Sequence, residues 1–200
     1  MDKVRIRNRV QIPLKDLKNT AEFIAFYGLP SDKEHIALCF QTPDKDKYSV
    51  PLVRVHSECM TGDVFHSLRC DCGEQLEEAL KYLDNQGGIL LYLRQEGRGI
   101  GLYNKIDAYQ LQSEGLDTYQ ANLELGFSQD EREFTTAALM LKALEVDKIR
   151  LLSNNPQKLY ELEQNSIRVL ESIGTGIYQT PYNQAYLRAK KEQTYHLINL

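Results

Sequence analysis

Three closely spaced cysteines constrain this chain more than any other feature of its sequence. Ten residues separate Cys59 from Cys70, and a single residue separates Cys70 from Cys72. Three thiolates are one ligand short of the closed tetrahedral shell of a structural zinc site, whereas a catalytic zinc site keeps one position for water. The spacing therefore indicates a metal site that holds a reactive water molecule.

Two alternatives stay open on spacing alone. Cys70 and Cys72 could form a redox pair, or His56 or His66 could complete a structural zinc site. No apolar stretch follows the charged N-terminus, so we expect no secretory signal and a cytoplasmic protein. Thiols stay reduced in that compartment, which favours metal-binding or catalytic cysteines over disulfides. The fourth cysteine, Cys39, lies in an apolar, strand-like run and is expected to be a small core residue.

Composition and charge exclude some classes of partner. Hydrophobic residues make up 42% of the 200-residue chain, which is enough for a core, yet no apolar run approaches a membrane span. The formal net charge of −4 argues against a general binder of nucleic acid or of anionic membranes. We therefore expect no nucleic-acid and no membrane partner. A phosphorylated small molecule stays possible, because it needs only a few well-placed cations.

The order of predicted elements indicates an α/β fold. Predicted strands cover residues 34–40, 50–56, 89–93, 149–152 and 167–170, and predicted helices cover 74–86, 102–114, 134–145 and 183–197. Asn155 and Pro156 provide the N-cap and the first residue of a further helix. Elements alternate from residue 74 onward, and the N-terminal part is rich in strand. The prediction is a single domain, residues 1–200, with a mixed β-sheet flanked by helices.

A glycine-rich loop, residues 94–101, follows a predicted strand and opens a predicted helix. Its glycines would let the backbone approach a ligand closely, and a helix N-terminus favours anions. The loop matches neither the dinucleotide fingerprint nor the P-loop, and it differs from both in carrying Glu96 and Arg98. A simple change of chain direction is the alternative.

Other polar residues also have a structural alternative to a functional role. Asp130 and Arg132 precede an apolar helix, where acidic residues commonly serve as caps. Lys158 could hold a phosphate or belong to a helix start.

Two further groups could line a pocket or serve the fold. Tyr109 shares a helical stripe with Leu102 and Ile106, as in ordinary core packing. Arg54 and Glu58 would share one face of a strand and point into a pocket, or form a surface ion pair.

Taken together, these runs resemble the GTP cyclohydrolase II family, the enzymes that open the route to riboflavin. The resemblance covers about residues 50–160 in uninterrupted order and rests on residues 54–59, 61–63, 67–73, 94–102, 104–105, 117–118, 121–122, 125–127, 130–132 and 154–156. The chain departs from the family pattern in its N-terminal segment, at residues 174–181 and 194–196, and at Ser153, where the family commonly has threonine.

The resemblance implies a role for each matching residue. It makes Cys59, Cys70 and Cys72 the ligands of one Zn²⁺ ion. Asp130 becomes the proton acceptor, Arg132 a group acting at the α-phosphate, and Tyr109 a catalytic tyrosine. Because an arginine stays protonated to about pH 12 or above, electrostatic stabilisation by Arg132 is an alternative to covalent attack. The implied GTP site comprises Arg54, Val55, His56, Ser57, Glu58, Gln75, Glu96, Gly97, Arg98, Thr118, Ser153 and Lys158.

The resemblance also implies an activity. The family converts GTP and water into formate, pyrophosphate and 2,5-diamino-6-(5-phosphoribosylamino)pyrimidin-4(3H)-one, with Mg²⁺ on the substrate phosphates, and is usually homodimeric. Alternatives are a paralogue that acts on another nucleotide or stops at the formylated intermediate, and a non-catalytic nucleotide-binding zinc protein.

A carboxylate could select guanine by accepting from its N1–H and N2–H₂ groups. Glu96 is the favoured candidate, followed by Gln75 and Glu58.

Overall fold

The structure is a computed structural model that describes residues 3–43 and 49–194; for Thr118, Ala185 and residues 192–194 it describes the backbone alone. The chain forms two compact units. The first comprises Met1–His56, Glu77–Arg94 and Phe134–Thr175, and the second comprises Ser57–Leu76, Gln95–Glu133 and Gly176–Leu200.

The first unit carries a mixed β-sheet. The strands of the described residues are β1 (Arg5–Pro13), β2 (Thr20–Tyr27), β3 (Ile36–Phe40), β4 (Leu52–Ser57), β5 (Gly88–Leu93), β6 (Lys148–Leu152) and β7 (Arg168–Ile173). They lie in the order β1-β2-β3-β5-β4-β6-β7. β1, β2, β3 and β5 pair antiparallel, whereas β4, β6 and β7 pair parallel. The predicted mixed α/β fold with a strand-rich N-terminal part is therefore confirmed.

Helices follow the predicted periodicity closely where they are long. The helices of the described residues are α1 (Met60–Asp63), α2 (Cys72–Gln86), α3 (Leu102–Ser113), α4 (Thr118–Glu124), α5 (Thr135–Ala143), α6 (Pro156–Gln164) and α7 (Gln184–Thr194). Asn155 caps α6 as predicted, because its Oδ1 accepts from Gln157 N at 2.9 Å. The short helices α1 and α4 were not predicted. The last predicted residues of the C-terminal helix, 195–197, lie outside the described residues.

The buried apolar cluster of the described residues lies wholly in the first unit. Inward side chains of α5, including Phe134 at its N-cap, Met140 and Leu141, belong to one cluster with Val55 of β4 and Leu91 of β5. Burying a side chain of this size contributes about 1.5–3 kcal/mol. Cys39 packs against the same cluster, as expected for a small core residue. The ends of β4 and β6 and the start of α6, which carry predicted site residues, are thereby fixed on a rigid sheet.

That residues 1–200 form a single domain stays a prediction. Among the described residues, no helix has both the length and the apolar character needed to cross a membrane.

Candidate active site

The three cysteines of the sequence pattern come together in the second unit. Cys59 precedes α1, Cys72 opens α2, and the three sulfur atoms all lie within 4.8 Å of one another. The Sγ atoms of Cys59 and Cys70 are 3.7 Å apart. Gly62 leaves room for this cluster, because a Cβ at that position would lie 2.9 Å from Cys70 Sγ and 3.2 Å from Cys59 Sγ.

Two observations bear on the alternatives of a redox pair and of a histidine ligand. All four cysteines carry free thiols, so Cys70 and Cys72 do not form a disulfide. Within residues 3–43 and 49–194, the grouping that could hold a metal ion contains no histidine. His56 stacks instead on Tyr92 in the first unit, with ring centroids 5.5 Å apart.

The protons of the cluster are shared unevenly. Hydrogen bonds from Cys70 and Cys72 lower the pKa of Cys59 well below its usual value. The same hydrogen bond to Cys59 raises the pKa of Cys70 to about 12. The pKa of Cys72 is raised as well, first by its hydrogen bond to Cys59. A cation that takes the place of the thiol protons would meet a compact set of three thiolates.

A buried ion pair supports the cluster. Lys105 Nζ lies 2.8 Å from Glu96 Oε1 and donates to Cys59 Sγ at 3.2 Å. Glu96 also accepts from Met60 N at 2.6 Å through Oε2 and from Gly97 N at 2.7 Å through Oε1. Both carboxylate oxygens of Glu96 are thus engaged by donors of the protein itself. This geometry counts against the prediction that Glu96 reads the base, which stays untested.

Tyr109 lies beside the cluster and is not an ordinary core residue. Its hydroxyl is 3.3 Å from Thr61 Oγ1, which in turn lies 3.6 Å from Cys59 Sγ. Burial raises the pKa of Tyr109, and the charge of Lys105 offsets that only in part. The predicted apolar stripe does not form the buried face of α3, because Ile106 is 51% exposed while Lys105 and Ala108 are buried.

The glycine-rich loop forms a 3₁₀ turn, Glu96–Gly99, and the helix α3 follows as predicted. Gly97, Arg98 and Gly99 all have positive φ, of 62°, 59° and 97°. A Cβ on Gly99 would come within 2.8–2.9 Å of Glu131, so only glycine fits there without displacing that segment. Arg98 is a left-handed non-glycine residue, a conformation that is uncommon and clusters at functional sites. Its guanidinium stacks on Tyr119, 4.3 Å from the ring centroid.

Asp130 and Arg132 form a bidentate pair rather than a helix cap. Arg132 donates through Nε at 2.8 Å and through Nη2 at 2.5 Å to the two oxygens of Asp130. Burial alone would raise the pKa of Asp130, but the hydrogen bonds and charge of Arg132 outweigh it and hold that pKa below its usual value. The N-cap of α5 is Phe134, whose N donates to Glu161 Oε2 at 2.6 Å. The capping alternative is therefore wrong.

A second group of predicted site residues lies in the first unit. Arg54, Val55 and His56 lie on β4, and the structure brings Lys158 of α6 to the same strand, where its Nζ donates to Val55 O at 2.6 Å. Arg54 Nη1 donates to Leu152 O of β6 at 3.1 Å. Ser153 Oγ accepts from Asn155 N at 3.0 Å, so this hydroxyl supports the start of α6.

The remaining predicted residues lie in the second unit. β4 ends at Ser57, so Glu58 does not share a strand face with Arg54 as predicted. Gln75 lies in the first turn of α2 and donates to Asp71 Oδ2 at 2.7 Å. Thr118 opens α4, and its side chain lies outside the described residues.

Sequence reasoning gave no role to five residues that the structure places around this site. They are charged or aromatic side chains in buried or half-buried positions of the second unit: Asp71, Lys105, Tyr119, Tyr186 and Lys190. Lys105 carried a usable signal, because it lies four residues before Tyr109 and therefore on the same face of α3. The residues of α7 carried none, because their partners are distant in sequence.

Comparison with known proteins decides the family. The family model described as GTP cyclohydrolase II matches residues 6–174 of this chain. The chain belongs to the GTP cyclohydrolase II family. A GTP cyclohydrolase-2 of Vibrio cholerae is 54% identical over 196 residues, 98% of each chain. A GTP cyclohydrolase-2 of Psychromonas ingrahamii is 55% identical over 193 residues, covering 95% of this chain and 96% of the relative.

A third relative is longer than this chain. The riboflavin biosynthesis protein RibBA of Parabacteroides distasonis is 44% identical over 195 residues, which is 97% of this chain and 48% of that protein. These similarities confirm the prediction of an enzyme of this family.

Proposed function

We propose that this chain is a zinc-dependent GTP cyclohydrolase II that acts in riboflavin biosynthesis. It hydrolyses GTP to formate, pyrophosphate and 2,5-diamino-6-(5-phosphoribosylamino)pyrimidin-4(3H)-one. The observation that carries the proposal is the convergence of Cys59, Cys70 and Cys72 within 4.8 Å in a chain of this family. A cytoplasmic homodimer with Mg²⁺ on the substrate phosphates completes the proposal.

The donor set fits zinc. Thiolates are soft ligands that select Zn²⁺ over Mg²⁺ or Ca²⁺, and three of them leave a fourth tetrahedral position for water. Cys59, Cys70 and Cys72 would hold the ion. When bound, zinc supplies an activated water for attack on the imidazole ring and on the resulting formamide. Lys105 offsets part of the negative charge that three thiolates bring, because its ammonium group lies 3.2 Å from Cys59 Sγ.

Tyr109 holds a proton next to this centre. Because burial raises its pKa, its hydroxyl stays protonated at neutral pH and can donate a hydrogen bond to an oxygen that gains charge. Thr61 Oγ1, 3.3 Å away, orients that hydroxyl. Tyr109→Phe removes the proton and keeps the ring, so we expect a lower kcat with little change in zinc content.

Arg98 is the strongest candidate in the second unit for a cation that binds a substrate phosphate. In the second unit, Arg98 Nη1 is buried and has no hydrogen-bond partner among the described residues. A buried, unsatisfied donor of this kind costs free energy unless a ligand satisfies it. The family resemblance assigns phosphate contacts to Arg132 and to Lys158 as well. The structure favours an electrostatic role for Arg132, since its guanidinium is buried in a bidentate pair and its pKa is raised despite that burial.

Asp130 faces a conflict as a proton acceptor. A carboxylate held by Arg132 with a lowered pKa is fully ionised at neutral pH but is a weak base. It can accept a proton effectively only when the substrate draws Arg132 toward a phosphate and releases the carboxylate. Asp130→Asn removes both the proton acceptor and the partner that holds Arg132. Arg132→Lys keeps the positive charge but not the bidentate geometry, so it separates these two roles of Asp130.

One experiment distinguishes this proposal from its alternatives. Purified protein is incubated with GTP and Mg²⁺, and formate, pyrophosphate and the pyrimidine product are measured by enzymatic assay and mass spectrometry. Pyrophosphate with a formylated nucleotide and no formate would indicate a shortened reaction, and no turnover with retained nucleotide binding would indicate a binding protein. Cys70→Ala should lose zinc and formate release together. Cys39→Ala, at a partly buried position of β3 in the first unit, is the matched control and should keep both zinc and formate release.

A further inference from the structure

Residues 176–191 form a defined part of the second unit, although the family match ends at residue 174. Thr180 Oγ1 donates to Leu68 O at 2.7 Å. Asn183 is fully buried, donates to Tyr178 O at 2.8 Å and accepts from Thr180 N at 2.8 Å. Leu187 of α7 is fully buried as well. α7 is therefore held in a defined place in this unit.

A buried ion pair joins α7 to the cysteine ligands. Lys190 Nζ lies 2.8 Å from Oδ1 of Asp71, and the two side chains are only 12% and 1% exposed. Asp71 stands between Cys70 and Cys72 in sequence, and its other oxygen accepts from Gln75 Nε2 at 2.7 Å. Desolvating two charges generally costs about as much as their attraction returns, so such a pair does more for geometry than for stability. Here it fixes the turn that presents two sulfur ligands and the amide of Gln75.

Tyr186 continues this chain of contacts toward the glycine-rich loop. Lys190 Nζ lies 4.4 Å from the centre of the Tyr186 ring, and Arg98 Cζ lies 5.9 Å from it. The hydroxyl of Tyr186 is 4.0 Å from Cys72 Sγ. Since a cation over a tyrosine ring is attracted to it, one ring contacts two cations and a metal-ligand candidate.

We propose that α7 is a working part of the active site, in which Tyr186 and Lys190 are positioning residues for Arg98, for Gln75 and for the Cys70–Cys72 turn. This inference rests on the proposed function, because it concerns the zinc and nucleotide sites assigned there. Neither residue contacts the reacting atoms. Lys190 acts through Asp71, and Tyr186 acts through Arg98 and Cys72.

The test compares two neighbouring lysines of α7 in the full-length protein. Lys190→Met removes the charge at Asp71, whereas Lys191→Met changes an exposed lysine of the same helix. Zinc affinity is measured by chelator competition, and KM and kcat are measured with GTP. Loss of an outer partner of a metal site typically costs about 10- to 100-fold in metal affinity or activity. We expect a loss in that range for Lys190→Met, values within about twofold of wild type for Lys191→Met, and recovery in Lys190→Arg.

Two variants at Tyr186 separate the ring from its hydroxyl. Tyr186→Leu removes the surface on which Arg98 and Lys190 lie, so we expect a several-fold higher KM with less effect on kcat. Tyr186→Phe keeps that surface and should retain the KM of wild type. In Co²⁺-substituted protein, a shift of the sulfur-to-cobalt charge-transfer band in Tyr186→Phe would report the contact with Cys72.

Failure of the proposed function and failure of this inference give different results. Wild-type protein that binds no zinc would overturn the proposed function and this inference together. Zinc binding and turnover in wild type, with Lys190→Met equal to Lys191→Met, would overturn this inference alone. If Lys190→Met does not fold, Asp71→Asn with Lys190→Met removes both buried charges. That double variant supports the inference if its zinc affinity falls, and overturns it if the affinity is unchanged.

Discussion

The ion pair between Lys105 and Glu96 allows a prediction whose magnitude follows from the structure. The two side chains are 11% and 9% exposed and lie 2.8 Å apart. Lys105→Met keeps an unbranched chain of similar length in α3 but removes the ammonium group. The Glu96 carboxylate then stays buried beside Cys59 without its counter-charge.

Breaking a buried pair by removing one partner typically costs 3–5 kcal/mol, because the remaining charge stays desolvated. Glu96 would retain two backbone donors, Met60 N and Gly97 N. Because of these two donors, we expect Lys105→Met to lower the free energy of unfolding by about 3 kcal/mol, near the lower end of that range. Glu96→Gln combined with Lys105→Met removes both charges, so the double variant should be more stable than the sum of the single changes indicates.

Urea unfolding of metal-depleted protein measures these free energies without the stabilisation that zinc binding adds. Lys81→Met is the matched control, because Lys81 pairs with Glu77 at 3.8 Å while both side chains are exposed, at 65% and 57%. Exposed pairs of this kind contribute about 0.5 kcal/mol or less. The argument would be refuted if Lys105→Met cost no more than Lys81→Met, or if the double variant cost the full sum of the single changes.

Three further predictions concern chemistry, specificity and pH. Chelated protein given GTP and Mg²⁺ should release some pyrophosphate but no formate, since only ring opening needs the metal-bound water; equal loss of both would indicate an obligatory order of steps. Glu96→Gln should lower stability but keep the preference for GTP over ATP, whereas Glu58→Gln should reduce that preference. Competition kinetics measure the preference. If Glu96→Gln reduces it and Glu58→Gln does not, Glu96 is the residue that recognises the base. Burial, together with the charges of Lys33 and Arg94, lowers the pKa of His35 to about 4. The unfolded protein therefore binds this proton at a higher pH than the folded protein does. Between pH 6.5 and pH 4, His35 should lower the free energy of unfolding by roughly 2–3 kcal/mol. His35→Gln should flatten that part of a stability-against-pH curve.

The sequence predicts the bounds of the long helices well, but it gave no bounds for the strands β1 and β2, although the N-terminal part was expected to be rich in strand. Helices α2 and α5 bury enough apolar positions for a 3.6-residue period to be visible, whereas the short helix α1 has four residues and α4 has seven. α4 nevertheless carried a local signal. Asp117 and Gln120 form a capping box, with Asp117 accepting from Gln120 N and Gln120 accepting from Asp117 N.

Partners that are distant in sequence explain why part of the site could not be predicted. The spacing of the three cysteines is typical of few kinds of site, so their convergence could be predicted. The burial of Lys105 on α3 depends on Glu96 in the preceding loop, and apolar periodicity instead suggested Ile106 for the buried face. Lys190 pairs with Asp71, more than a hundred residues earlier in the chain, and no local pattern encodes that contact.

The two units differ in how their apolar and charged groups are distributed. The largest apolar cluster of the described residues lies entirely in the first unit, around α5 and the sheet. The second unit holds three ion pairs whose side chains are at most 13% exposed, formed by Lys105 with Glu96, Arg132 with Asp130, and Lys190 with Asp71. Such pairs add little net stability, because desolvation offsets their attraction, but they fix cations and sulfur ligands in place. A cation bound to the three cysteines would add to the stability of the folded second unit, because it binds the folded state in preference to the unfolded one.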